Sequence, residues 1–199
     1  ESPTVLARAD GQAKERVVRE AQGGSALRAL TPSFDGRFVA LGHTRDGDEA
    51  AAIEVRDTQT GRLLPDGVDD LLTTTSGTRY RVHWLDADDG TARGFFYPRL
   101  WPGSGSAPAS ERLARSRQFL HRLGTPRSQD LAIFGFGISP DVPMEPDDLA
   151  ARVVAAPRSR WLVGTVYHVR AARDAHYAAQ RTADDLSVPR WYPILGLED

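Results

Sequence analysis

The sequence predicts an all-β fold, and three of its features carry that reading. Short runs rich in Val, Ile, Phe, Tyr and Trp recur along the chain, each bounded by Gly, Pro or Asp clusters. No stretch of comparable strength carries a 3.6-residue apolar period. A turn followed by an apolar strand alternates with a hairpin at spacings of roughly 50–70 residues, as in a repeat architecture. A propeller blade takes about 40–50 residues, and closed rings have about four to eight blades. A chain of 199 residues therefore fits a partial β-propeller, about three four-stranded antiparallel blades after a leading hairpin.

In chain order, Val5–Ala9 opens the leading hairpin, residues 4–18, which turns at Asp10-Gly11 where Gly accepts a positive φ. The first blade, about 27–66, holds the turn Phe34-Asp35-Gly36, the strand Arg37–Leu41, the strand Ala52–Arg56 and a hairpin bracketed by Asp57 and Gly61. The second, about 71–136, holds Tyr80–Leu85, the turn Asp88-Asp89-Gly90, then Gly94–Tyr97, Gln118–Arg122 and Leu131–Phe136. The third, about 150–195, holds Val153–Ala156, a worn turn at Pro157-Arg158-Ser159, Trp161–Val169 and a looser hairpin from Tyr177 to Ile194. Insertions are expected at Pro102–Ser110 and Ser139–Asp148. Helix is expected only over Ala107–Gln118, starting at Ser110, and in one turn at Asp147–Ala151 after Pro146. The arc is too short to close, and its two unpaired blade edges predict a homodimer formed through them.

Composition narrows the function. Forty per cent apolar and 26% charged residues exclude a disordered chain. A net charge of −2 gives no nucleic-acid footprint. Lys14 stands alone among 24 arginines, which fits a GC-rich genome better than a binding site. The absence of Cys removes disulfides, thiolate metal sites and a Cys nucleophile. No apolar run reaches the roughly 18 residues of a membrane span. A start at Glu1-Ser2-Pro3-Thr4, without Met or a basic-then-apolar leader, predicts a processed or excised chain. The cytoplasm is favoured over the periplasm, and no cofactor or metal is expected.

Four strings together resemble the N-terminal β-propeller of the prolyl oligopeptidase family of serine peptidases. They are Ser33-Phe34-Asp35-Gly36-Arg37-Phe38-Val39-Ala40; Val55-Arg56-Asp57-Thr58-Gln59-Thr60-Gly61 with Leu64-Pro65-Asp66; Gly94-Phe95-Phe96-Tyr97-Pro98-Arg99; and His121-Arg122-Leu123-Gly124-Thr125-Pro126-Arg127-Ser128-Gln129-Asp130. The last is the most specific. The resemblance covers residues 4–195 but only the early blades of the family's seven. It implies a parent that hydrolyses short peptides, after Pro or after basic residues, with a Ser-Asp-His triad in an α/β-hydrolase domain. The propeller covers that active site and gates substrate access. The hydrolase domain is expected outside this chain, so its partners would be that domain and the parent's peptide substrate. No Gly-x-Ser-x-Gly elbow occurs in the sequence. The nearest strings, Gly23-Gly24-Ser25-Ala26-Leu27 and Gly103-Ser104-Gly105-Ser106-Ala107, lack the final Gly. The chain alone is expected to be inactive.

By the same resemblance, Phe96 lines the distal part of the substrate pocket, and a family Arg falls at Tyr167, with Arg170 as its substitute. Without the resemblance, Phe95-Phe96-Tyr97 is core. His43, His83, His121, His168 and His176 show no helical metal spacing and read as strand or loop residues. The pairs Asp69-Asp70, Asp88-Asp89, Asp147-Asp148 and Asp184-Asp185 read as solvated turn formers. The Arg-rich stretch Glu111–Arg122 reads as a solvated face. Two alternatives stand beside the peptidase reading: a stand-alone propeller-like module that binds a protein or peptide, and an enzyme with an unfamiliar constellation.

Overall fold

The computed structural model describes residues 4–8, 14–20, 24–45, 51–71, 82–99, 101, 106–108, 111, 113–181 and 187–195. These fold as antiparallel sheet throughout. Strands β1 (Val5–Ala7) and β2 (Arg16–Arg19) pair as a leading hairpin. A first unit follows in the order β3 (Ser25–Pro32), β4 (Phe38–Arg45), β5 (Ala51–Asp57) and β6 (Val68–Leu71). A second runs β7 (His83–Asp86), β8 (Ala92–Arg99), β9 (Arg117–Arg122) and β10 (Leu131–Gly135). A third runs β11 (Leu149–Ala155), β12 (Trp161–His168), β13 (Arg173–Gln180) and β14 (Trp191–Leu195). The first two units run on into one eight-stranded sheet, but through a single pairing, Leu71 with Arg99. Four antiparallel sheet units and almost no helix therefore make up the described chain.

The two expected helices are not there. Glu111 and residues 113–115 make turns and Arg117 already belongs to β9, while Leu149–Ala151 opens β11. The stretch at 107–118 has no apolar stripe to bury as a helix; its last two residues instead open β9, which buries Gln118, Leu120 and His121. Helix among the described residues is confined to 3₁₀ turns, such as Arg127–Gln129. Asp10-Gly11, Tyr80 and the 102–105 and 109–110 parts of the expected insertion lie outside the described residues.

The second unit is sandwiched, and β8 shows how. Phe95 and Tyr97 point to one face and join Phe38, Ile53, Val55, Leu71 and Trp84. Phe96 points to the other and joins Leu120, Ile133, Phe134, Leu162 and Trp191. A strand buried on both faces reads as an unbroken apolar run rather than an alternation, which is why Phe95-Phe96-Tyr97 stands out in the sequence. The leading hairpin packs Val5 and Val18 onto Val39 and Leu41. It is tied down by Arg19, whose guanidinium lies 2.7 Å from Glu54. At the far end β14 buries Trp191 and exposes Tyr192, Ile194 and Leu195.

Candidate functional site

The Leu123–Asp130 string forms a tight turn between β9 and β10. Gly124 adopts φ +80, a conformation L side chains rarely take. Thr125 donates its N–H and its hydroxyl to the Arg122 carbonyl, at 3.1 and 2.8 Å. Pro126, with φ −70, leads into the 3₁₀ turn, and the Asp130 N–H closes onto the Arg127 carbonyl at 3.1 Å. So folded, the turn aims the Asp130 carboxylate back across the unit. Oδ1 lies 2.8 Å from His121 Nδ1, and Oδ2 accepts the Tyr97 hydroxyl at 2.6 Å. Asp66, from the loop between β5 and β6, approaches from the first unit. Its Oδ1 lies 3.1 Å from His121 Nε2 and also accepts the Gly124 N–H. His121 is 0% exposed and packs 5.1 Å from the Phe95 ring.

Burial disfavours charge on His121, but hydrogen bonds and charges from Asp130 and Asp66 outweigh it and raise its pKa to about 9. Burial pushes Asp66 up, and the His121 and Gly124 hydrogen bonds more than reverse that, so it lies below the usual carboxylate value. Burial first, and then Asp130, push the Tyr97 hydroxyl well up. That shift favours the imidazolium at neutral pH, the form that can donate from both nitrogens to the two facing carboxylates. That form has no free nitrogen with which to act as a general base. The cluster bridges the two units, with Asp66 from the first and His121, Gly124 and Asp130 from the second.

The three residues that the family resemblance points to are placed apart. Phe96 is 1% exposed in the core between the second and third units. It lines a small cavity with Leu120, Ile133 and Leu162. Tyr167 is half-buried, five residues along β12 from Leu162, about 17 Å at strand rise. Arg170 is exposed in the turn after β12 and pairs with Asp147 at 3.1 Å. The structure thus brings Leu162, rather than Tyr167 or Arg170, to Phe96.

The acidic pairs divide. Asp88 and Asp89 are exposed, and Asp89 caps its own turn through Thr91. Asp148 departs from the solvated reading. It is 2% exposed, accepts the Glu145 and Val169 N–H groups, and lies 2.8 Å from His168 Nδ1. It thereby ties the turn before β11 to the end of β12. Asp184-Asp185 and residues 103–105 lie outside the described residues. Among the described residues, no group of three His, Asp or Glu is placed to hold a metal. Sequence reasoning missed Asp66, Tyr97, His121 and Asp130 as a unit. Asp66 and His121 stand 55 residues apart, so no spacing rule joins them. A usable signal was that both lie in the strings that carry the family resemblance.

Stacked four-stranded antiparallel meanders, packed face to face, define a β-propeller module. The model of the prolyl oligopeptidase N-terminal β-propeller domain matches residues 17–145, and the chain belongs to that family. A structure from work on two prolyl endopeptidases, concerned with inter-domain dynamics in their catalysis and specificity, superposes with a TM-score of 0.70 at 20% identity. It aligns over 96% of this chain and 25% of that one. A variant of prolyl oligopeptidase B from Galerina marginata, bound to a 35mer hydrolysis and macrocyclization substrate, superposes with a TM-score of 0.67 at 16% identity, over 92% of this chain and 25% of that one. The chain thus spans about a quarter of the length of these structures. No curated protein matches it in sequence.

Proposed function

We propose that this chain is the non-catalytic propeller portion of a prolyl-oligopeptidase-like serine peptidase. In this reading the parent hydrolyses short peptides in an α/β-hydrolase domain, and the propeller limits which substrates reach it. The observation that supports it is membership of the propeller family in a sequence without a Gly-x-Ser-x-Gly elbow. In the same reading Phe96, Tyr167 and Arg170 line the substrate path, Arg170 being the most accessible of the three. Taken alone, the chain associates as a homodimer through its blade edges. The exposed Tyr192, Ile194 and Leu195 of β14 and the exposed Trp161 of β12 supply apolar surface for it.

Four measurements test this. A fluorophosphonate should label no serine of the chain, and prolyl and arginyl peptides should survive incubation with it. Combined with the hydrolase module encoded in the same reading frame, the chain should give hydrolysis of short peptides but not of folded proteins. Labelling at unit stoichiometry, or a reading frame without such a module, contradicts the reading. Sedimentation at tens of micromolar should show a dimer, and a compact monomer would remove the association claim.

A further inference from the structure

We propose that Asp66, His121 and Asp130 form an ionic latch that clamps the first four-stranded unit to the second and releases as the medium turns alkaline. The two units share little backbone, since one pairing, Leu71 with Arg99, joins β6 to β8. Asp66 belongs to the first unit; His121, Gly124 and Asp130 belong to the second. The contacts from Asp66 to His121 Nε2 and to the Gly124 N–H therefore cross the seam. The contacts from Asp130 to His121 Nδ1 and Tyr97 stay within the second unit and hold the ring in its orientation.

One proton decides whether the clamp is closed. A neutral imidazole carries a single N–H, yet both nitrogens here face carboxylate oxygens. Loss of the second proton sets a lone pair against an oxygen on one side. The Asp66 contact, at 3.1 Å, is longer than the Asp130 contact, at 2.8 Å, so the ring's cross-seam contact is the one that opens, leaving Asp66 held across the seam by the Gly124 N–H alone. Around the ring stand Asp66 from the β5–β6 loop, Asp130 at the head of β10 and Tyr97 from β8. Farther out, Arg127 pairs with the exposed Asp69, and the Arg127 and Arg99 charges reach Tyr97. The two carboxylates in direct contact dominate.

A histidine whose pKa is raised on folding stabilises fully below its unfolded value of about 6.5, and that contribution fades as pH climbs through the folded value. Here the folded value is about 9, so the latch weakens above neutrality. The chain has no Cys and only Lys14 as a lysine, so few other side chains change charge between about pH 7 and 9.5.

The test is an NMR titration of the whole chain labelled with nitrogen-15 histidine, with thermal melts beside it. The His121 ring should carry both N–H protons at pH 7.5, with a midpoint near 9. Asp66→Asn should lower that midpoint by about one unit or more. The melting temperature should fall by about 5 °C or more between pH 7.5 and 9.5, a loss that His121→Gln removes. A neutral ring at pH 7.5, a midpoint unmoved in Asp66→Asn, or the same alkaline loss in His121→Gln would overturn the latch. If His121→Gln fails to fold, the ring titrations of the unmodified chain and of Asp66→Asn decide alone.

Discussion

Between the first and second units the interface closes over His121; between the second and third it closes over Phe134 and Trp191. The first interface mixes an apolar cluster with charge. Trp84 packs between Phe38 and Phe95, at 6.4 and 5.6 Å between ring centroids, and donates its indole N–H to the Thr31 carbonyl at 2.9 Å. Asp35, in the turn between β3 and β4 of the first unit, accepts the Ala92 N–H of the second at 2.9 Å. The second interface is mainly apolar and backbone-bonded. Phe134 meets Trp191 at 4.7 Å and Tyr177 at 6.0 Å. Gln118 donates to the Ala150 carbonyl at 2.7 Å, and the Ala150 N–H donates to the Ser116 hydroxyl at 2.7 Å. Its ion pair, Asp86 with Arg181 at 3.9 Å, contains no imidazole. Apolar burial has no titration point, whereas a buried ion pair gains little net stability and costs much when one partner loses its charge. The same stacking of units thus has one interface crossed by an imidazole–carboxylate contact and one whose histidine, His168, pairs with Asp148 on its own side of the seam.

The largest expected effect tests the apolar interface. Phe134→Ala removes a fully buried ring and leaves a cavity, and should cost about 3–5 kcal/mol in urea unfolding, equally at pH 7 and 9. Gly164→Ala comes next, because a Cβ there would sit 2.5 Å from the Phe134 ring. Overpacking of this kind costs about 1–3 kcal/mol. The cost should shrink when the substitution is made in the Phe134→Ala background, since the two residues share one space. Tyr97→Phe tests the mixed interface by removing one hydrogen bond to a charged carboxylate, for a loss of about 1.5–3 kcal/mol. The smallest effect falls outside both interfaces. Arg170→Ala breaks only an exposed ion pair and should stay within about 0.5 kcal/mol.

How much of this was legible in the sequence depends on where each signal lay. The β-branched and aromatic strands, β4, β5, β8 and β12, are visible because their side chains are the large apolar ones that pleated sheets favour. β3, written Ser-Ala-Leu-Arg-Ala-Leu-Thr-Pro, carries little of that signal and went unread. β13 buries Ala175, Tyr177 and Ala179, a clean alternation written mostly in alanine, and only its tail was drawn into the looser hairpin. The stretch 107–118 looked helical because Arg and Ala favour helix locally, and burial of β9 overrode that preference. His121 was invisible as a latch, since its meaning comes from Asp66, a residue of another unit. The Leu123–Asp130 string stood out without an evident reason; its structural role is to hold Gly124 and Asp130 around that histidine.

Hydrogen exchange at pH 7.0 and 9.5, corrected for the intrinsic rate at each pH, tests the contrast between the interfaces most directly. Amides around Gly124 and along β6 should lose protection at the higher pH, while those of β11, β12 and β13 keep theirs. Equal loss on both sides, or none on either, would contradict the account.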